Sequence, residues 1–281
     1  MSAANLGCMH VWVNGTLLED AQSPAIAVTD HGLTVGDGVF EAIKVVDGTA
    51  FALTRHLERL VRSARSLGLP DPDLAVFRSA VAEVLEPEHL PLGRIRITYT
   101  GGPSPLGSNR GEVSPTMVVV AAPMDQAPAS TSVLRVPWPR NERGAMAGVK
   151  STSYAENVVA LAEAAKVGAS EAIFENLAGH LCEGTGSNVG YVVGGEVRTP
   201  TLGVGCLAGV TRALLLEWYD VKEVDEPIEV LDSADEIFLL STTRDVQGVH
   251  RIDDRDLTAP GPVTSELMEL WSTKEAEHPD P

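Results

Sequence analysis

Apolar and polar residues alternate from Met9 to Val13, and Asn14-Gly15 follows as a hairpin turn returning through Thr16 to Leu18. Val39–Val46 reads as a strand, Asp47-Gly48 as a turn and Thr49–Leu53 as the return strand. The period then changes. Leu57, Leu60, Val61, Ala64 and Leu67 share one helical face, which predicts a helix over Thr54–Leu67, capped by Thr54 and stopped by Gly68. A second helix is predicted over Asp73–Leu85, bracketed by Pro70, Pro72, Pro87 and Pro91. Gly93–Tyr99 alternates again and puts Arg94 and Arg96 on the face opposite Ile95 and Ile97. Beyond the Gly/Pro/Ser/Asn loop Gly101–Gly111, Pro115–Ala122 reads as a strand.

The polar, Pro-interrupted stretch Asp125–Ser130 suits a linker, and Thr131–Val136 opens a second set of elements. Ala155–Lys166 is predicted helical, with Val158, Val159, Leu161, Ala162 and Ala165 as its apolar face and Gly168 as its stop. Glu171–Phe174 reads as a strand. Leu181–Gly194 reads as two strands joined by a small-residue corner at Gly184–Ser187. A helix over Thr211–Tyr219, a strand over Glu236–Leu240 and a last helix over Val263–Trp271 follow. The final ten residues are charged and predict a frayed end.

With 281 residues the chain can bury one large core or two modest ones. A net charge of −18 argues against nucleic acid, whose phosphates would be repelled over most of the surface. Cys8, Cys182 and Cys206 show no zinc spacing, so no metal site is expected and the thiols read as reduced. No apolar run approaches the ~18 residues of a membrane span. The first residues, MSAANLG, lack the basic and apolar regions of a signal peptide. The expectation is a cytoplasmic protein.

Lys150 stands among small residues and is followed by Ser151-Thr152-Ser153-Tyr154. Lysine, tyrosine and glutamate are the residue types that hold pyridoxal phosphate: an amine for its aldehyde, and an acid that keeps its pyridine ring protonated as an electron sink. Taken singly they fit a solvated lysine and a turn glutamate equally well. Gly203–Thr211 empties a glycine-rich loop into a helix N-terminus, a general anion-binding arrangement.

The run KSTSYAENVVALAEA followed by LCEGTGSNVGYVV resembles the core signature of the class IV aminotransferases, the pyridoxal-phosphate enzymes of fold type IV. GDGVFEAIKVVDG and HLERLVRSARSLGL resemble the N-terminal signature of that family, and the likeness runs nearly the whole chain. It implies an α+β fold: a small α/β domain over 1–124, a linker over 125–130 and a larger domain with a pseudo-barrel over 131–281. Matched residue by residue, Lys150 is the Schiff-base lysine and proton carrier, and Glu183 is the acid at the pyridine nitrogen. Tyr154 matches the tyrosine near the phenolic oxygen, and Asn188 falls in the S-N corner on the cofactor side. Arg59, Val210, Thr211 and Thr242 match the phosphate anchors; a guanidinium fork suits phosphate oxygens. The resemblance further implies amino-acid and keto-acid substrates and a homodimer.

Within that family three readings stay open. Lys44 in Phe40-Glu41-Ala42-Ile43-Lys44 resembles the D-amino-acid aminotransferases, where the branched-chain branch usually has arginine. Against this, the loop GGPSPLGSNRG lacks the R-x-H carboxylate trap, and Phe40 stands where a tyrosine hydroxyl would help. Substrate contacts would then fall to Phe40, Lys44, Arg96, Arg110 and Thr243. Aminodeoxychorismate lyase is the second reading, because the same Lys150 would move its protons. Transamination of a D-amino acid is the favoured one.

Overall fold

Alternation in the first half of the chain builds a single antiparallel sheet. Its strands are β1 (His10–Val13), β2 (Thr16–Leu17), β3 (Gly38–Val46), β4 (Thr49–Ala50), β5 (Leu92–Thr100) and β6 (Thr116–Pro123), in the order β2-β1-β6-β5-β3-β4. A short helix α1 (His31–Thr34) and two longer ones, α2 (Leu53–Ser66) and α3 (Leu74–Leu85), accompany them. Val39, Ile43, Val45, Ile95 and Ile97 pack against Leu57, Leu60 and Ala64 of α2 and Phe77, Ala80 and Val84 of α3. Asp73 caps α3 by accepting from the Ala75 and Val76 amides.

This computed structural model describes residues 9–281, so Cys8 lies outside the described residues. Chain contacts divide it into two units, the first comprising Met1–Gln126, Val149–Ser153 and Pro279–Pro281. Two pieces expected in the C-terminal domain, the Lys150 segment and the last residues, therefore pack with the first unit.

Three expectations around α2 are corrected. The strand predicted over Thr49–Leu53 stops at Ala50, because Ala52 turns into the left-handed region (φ 52°) and α2 starts at Leu53. Thr54 lies inside the first turn and does not cap it, and the cap position Ala52 offers no side-chain acceptor. The end of the chain is not frayed. The last helix, predicted over Val263–Trp271, runs Pro262–Glu277, and the Pro279 carbonyl then accepts from the Ala52 amide at 2.8 Å.

The second unit, Ala127–Gly148 with Tyr154–His278, carries a nine-stranded mixed sheet. Its strands are β7 (Ser130–Arg135), β8 (Glu171–Glu175), β9 (Leu181–Gly184), β10 (Asn188–Val193), β11 (Glu196–Thr199), β12 (Val221–Glu223), β13 (Glu236–Ser241), β14 (Asp245–Ile252) and β15 (Arg255–Asp256). The order is β12-β11-β10-β13-β14-β7-β8-β9, with β15 paired to β14. Of these, β11, β12, β14 and β15 were not predicted. Helices α4 (Ala155–Lys166), α5 (Val210–Trp218) and α6 (Pro262–Glu277) complete the unit. Leu181, Val189, Tyr191, Ile237 and Leu239 lie in its main core.

Helix α4 is turned over relative to the sequence reading. Val158, Val159 and Leu161 are exposed (62%, 55% and 40%), while Ala160 and Ala164 pack against Val136, Ala169, Ala172 and Phe174. Small side chains allow the helix to lie close to the sheet, and Asn157 goes inward to donate to the Thr185 carbonyl at 2.7 Å. Close packing and a buried hydrogen bond outweigh the larger apolar residues, which stay in solvent.

Cys182 and Cys206 are buried free thiols, pushed up by that burial. Among the described residues no helix is long and apolar enough to cross a membrane, and no cluster of metal-binding side chains occurs.

Candidate active site

Lys150 is fixed by the free edge of β3. The Phe40 amide donates to the Lys150 carbonyl at 3.0 Å, the Thr152 amide to the Gly38 carbonyl at 2.8 Å, and Val39 pairs with Ser151. Hydroxyls reinforce the seam, since Thr152 and Ser153 both donate to the Gly36 carbonyl, at 2.9 and 3.0 Å. The sequence KSTS thus supplies a strand-like strip with two hydroxyl anchors just after the lysine. The Lys150 Nζ lies 4.4 Å from the centre of the Phe40 ring, and the Arg96 Cζ lies 3.9 Å from the same centre. Both are cation–π contacts.

Register explains the company of Phe40. Phe40 pairs with Thr98, Ala42 with Arg96 and Lys44 with Arg94, so these six side chains share one face of the sheet. Lys44 is buried there, directly across from Arg94. Like charges facing each other across strands are unfavourable on their own. A face carrying Lys44, Arg94 and Arg96, in a chain of net charge −18, suits an anionic ligand.

One residue along, β3 presents the opposite face, and here stands a group that the sequence reading missed. Glu41 is fully buried among Val39, Ile43 and Val45. It accepts from Arg59 Nε and Nη2 at 2.8 and 2.6 Å and from His56 Nδ1 at 2.8 Å. Burial would raise the Glu41 carboxyl, but the Arg59 charge, the Arg59 hydrogen bonds and His56 hold it down at about 2. Burial, with the Arg59 and Lys150 charges, lowers His56 despite Glu41, so the ring is neutral and donates through Nδ1. A carboxylate at an apolar position of the strand, with His56 and Arg59 three residues apart on the next helix, was the available signal.

Arg110, a candidate for the substrate carboxylate, is committed elsewhere. Its Nε donates to Asp37 at 2.6 Å, its Nη2 to the other Asp37 oxygen, and its Nη1 to the Gly68 carbonyl at 3.2 Å. His31 joins the group, with Nδ1 3.0 Å from Asp37 and Nε2 2.8 Å from the Gly107 carbonyl.

In the second unit the Glu183 carboxylate is held at both oxygens. The Leu207 amide donates to Oε2 at 2.9 Å, and Arg140 forms an ion pair with Oε1, its Nε at 3.3 Å. The Arg140 guanidinium also lies 4.0 Å over the Phe174 ring, the cross-strand partner of Glu183. Arg140 comes from the irregular stretch before Lys150, where no periodicity marks it. Asn188 donates to the Leu207 carbonyl at 2.8 Å, so Glu183 and Asn188 grip the same loop residue from its two sides. The Tyr154 hydroxyl donates to the Thr185 carbonyl at 2.8 Å, and burial pushes its pKa up. Below, the buried Glu171 shapes the Gly184–Ser187 corner by accepting from the Thr185 amide at 2.9 Å and the Ser187 hydroxyl at 3.1 Å.

The proposed phosphate anchors of this unit lie around one end of the β10–β13 pair. Helix α5 begins at Val210 without a side-chain cap, leaving the first-turn amides of Val210 and Thr211 as donors. A Cβ on Gly209 would come within 2.0 Å of Asn188 Oδ1, and Asn188 pairs with Leu240, the neighbour of Ser241. Ser241 begins the turn carrying Thr242 and Thr243, both half-buried, and its own buried Oγ has no hydrogen-bond partner among the described residues. An uncapped helix start, an orphaned hydroxyl and an approach open only to glycine fit an anionic group such as the phosphate of pyridoxal phosphate. The hydroxyl expected in this turn from sequence is that of Thr242. Arg244 turns away to the Ser170 carbonyl at 2.9 Å and to Gln247 at 2.6 Å.

Residues 38–252 match the family described as amino-transferase class IV. A protein of Methanocaldococcus jannaschii, provisionally named a branched-chain-amino-acid aminotransferase, is 33% identical, over 94% of this chain and 95% of its own length. A bifunctional aminodeoxychorismate lyase / D-amino acid transaminase of Mycobacterium tuberculosis is 30% identical, over 93% of this chain and 97% of its own. Among solved structures, a fold IV transaminase from Curtobacterium pusillum superposes with a TM-score of 0.83 at 31% identity, covering 94% of this chain and 93% of that one.

Proposed function

Because this chain belongs to the class IV aminotransferase family, and is with it a pyridoxal-phosphate-dependent transaminase of fold type IV, we propose that its amino donor is a D-amino acid and its acceptor a 2-keto acid. One observation carries the reading: the Lys150 amine and the Arg96 guanidinium both rest on the Phe40 ring, on a face that also holds Lys44. A proton-carrying amine and fixed cations for a carboxylate are what amino transfer on an anionic substrate needs.

When bound, pyridoxal phosphate supplies an aldehyde for amines and a ring that stores an electron pair. Lys150 would hold that aldehyde through its Nζ, and the same amine would be the base positioned to take the substrate Cα proton. Glu183, pinned by Leu207 and Arg140, is the acid for the ring nitrogen, with Tyr154 and Asn188 beside it in the same unit. The Val210 and Thr211 amides, the Ser241 and Thr242 hydroxyls and Arg59 are the phosphate anchors, with Thr243 left for the substrate. We expect a homodimer, to be checked by light scattering at micromolar concentration.

A second reading, aminodeoxychorismate lyase, is supported by the bifunctional name of the Mycobacterium tuberculosis relative. The discriminating experiment follows the cofactor absorbance of the holoenzyme while D-alanine, L-leucine and D-glutamate are added singly, without acceptor. Conversion by a D-amino acid is expected. Conversion by L-leucine alone would move the assignment to branched-chain substrates. If none converts it, release of pyruvate from aminodeoxychorismate would make the enzyme a lyase.

A further inference from the structure

Helix α2 carries both His56 and Arg59, yet the sequence gives it no cap of its own. Its cap position is Ala52, which has no side-chain acceptor and sits in the left-handed region. The missing acceptor comes from the far end of the chain. Asp280 Oδ1 accepts from the Thr54 amide at 2.8 Å, and Oδ2 from the Thr54 hydroxyl at 2.5 Å. The Thr54 amide is the donor that a capping side chain would normally satisfy. Two further bonds tie the same turn: the Ala52 amide to the Pro279 carbonyl at 2.8 Å and Arg55 Nε to the Pro281 carbonyl at 2.7 Å. Arg78 Nη2 of α3 donates to the Thr54 hydroxyl at 2.7 Å and closes the group. All these residues belong to one unit of the chain.

We propose that Asp280 is a positioning residue for Arg59, acting as a cap supplied from the far end of the chain to the first turn of α2. The Ala52 carbonyl takes its first helical hydrogen bond from the His56 amide, at 3.2 Å. His56 holds Glu41, and Glu41 holds the Arg59 guanidinium at two points. The path from Asp280 to Arg59 thus runs through Thr54, the first turn, His56 and Glu41, each link a hydrogen bond or a helical neighbour. A carboxylate is well suited to the task, because it also meets the positive end of the helix dipole. When the turn frays, His56 leaves Glu41 and the guanidinium loses its fixed direction. This assignment rests on the reading of Arg59 as a phosphate anchor.

The test compares binding of pyridoxal phosphate with that of pyridoxal, which lacks the phosphate, by fluorescence titration of the purified full-length apoenzyme. Arg59→Ala is expected to weaken pyridoxal phosphate much more than pyridoxal; equal effects on both would overturn the phosphate reading itself. Given that first result, Asp280→Ala is expected to lose pyridoxal phosphate affinity several-fold with pyridoxal unchanged, and to add nothing on top of Arg59→Ala. Asp280→Asn, which keeps an acceptor for the Thr54 amide, is expected to recover most of the loss. An Asp280→Ala protein that melts earlier but binds pyridoxal phosphate like wild type, or loses both ligands equally, overturns the assignment of Asp280.

Discussion

Arg59 meets Glu41 edge to edge, Nε to Oε1 at 2.8 Å and Nη2 to Oε2 at 2.6 Å, on the face of β3 that otherwise packs the core. The pair is fully withdrawn from water, so removal of one partner leaves the other charge without compensation. Glu41→Gln is expected to destabilise the protein by about 3 kcal/mol. The pH dependence has a definite sign. A carboxyl held at about 2 in the fold, against 4.5 ordinarily, stabilises above pH 4.5, and that contribution is lost as pH falls toward 2. His56, lowered from 6.5 by burial, works in the same direction: the unfolded chain takes up its proton first as pH drops below 6.5. Urea midpoints measured from pH 7 down to pH 3 should fall more steeply for wild type than for Glu41→Gln. Parallel curves would show that the pair is not the acid-sensitive element.

His31 makes the opposite prediction. Both ring nitrogens face acceptors, the Gly107 carbonyl and Asp37, and a ring that donates from both must be protonated. The Gly107 hydrogen bond and then the Asp37 hydrogen bond raise its pKa above 6.5, against the opposing effects of burial and Arg110. A raised folded value means that the stabilisation is complete below pH 6.5 and disappears as pH climbs through the folded pKa. His31→Gln should therefore cost more stability at pH 6 than at pH 9. A deficit of equal size at both pH values would assign His31 a packing role only.

Lys150→Ala is expected to abolish both turnover and the long-wavelength absorbance of the bound cofactor, while the urea midpoint of the apoprotein changes little. The seam that holds this segment uses the Lys150 carbonyl and the Thr152 and Ser153 hydroxyls, none of which the substitution touches. Turnover at the wild-type rate would remove Lys150 from the mechanism.

The strands and helices with strong periodicity were legible in the sequence, and β3, β5 and α3 lie within a residue or two of their predicted bounds. What failed had physical causes that lie far off in the chain. Thr54 reads as a cap because serine, threonine and aspartate usually cap the turn they precede, whereas here Asp280 does so from 226 residues away. Helix α4 reads as burying Val158 and Val159, whereas contact with the sheet selects its alanine stripe. Arg140 was invisible as a site residue for a related reason: nothing local distinguishes a guanidinium that will face Glu183. The motifs around Lys150, Glu183 and Thr211 supplied the candidates for the site. The side chains that hold those residues in place came only with the fold.

Gly209 offers the sharpest test of the proposed phosphate site. An alanine Cβ there would lie 2.0 Å from Asn188 Oδ1 and 3.2 Å from its Cγ, so the amide of Asn188 has to move. That same side chain donates to the Leu207 carbonyl at 2.8 Å, and the Leu207 amide donates to Glu183 at 2.9 Å. Displacing Asn188 therefore disturbs the start of α5 and the donor of Glu183 together. Gly209→Ala is expected to weaken pyridoxal phosphate binding about tenfold, equivalent to ~1.4 kcal/mol, and to lower stability by about 1–3 kcal/mol through overpacking. Shortening the obstacle should relieve the collision, so Asn188→Ser in the Gly209→Ala background should regain part of the lost affinity. In the wild-type background, where Asn188 still grips Leu207, the same Asn188→Ser change should reduce affinity. If Asn188→Ser lowers affinity equally in both backgrounds, the two residues act independently, and the glycine serves backbone conformation rather than the close approach.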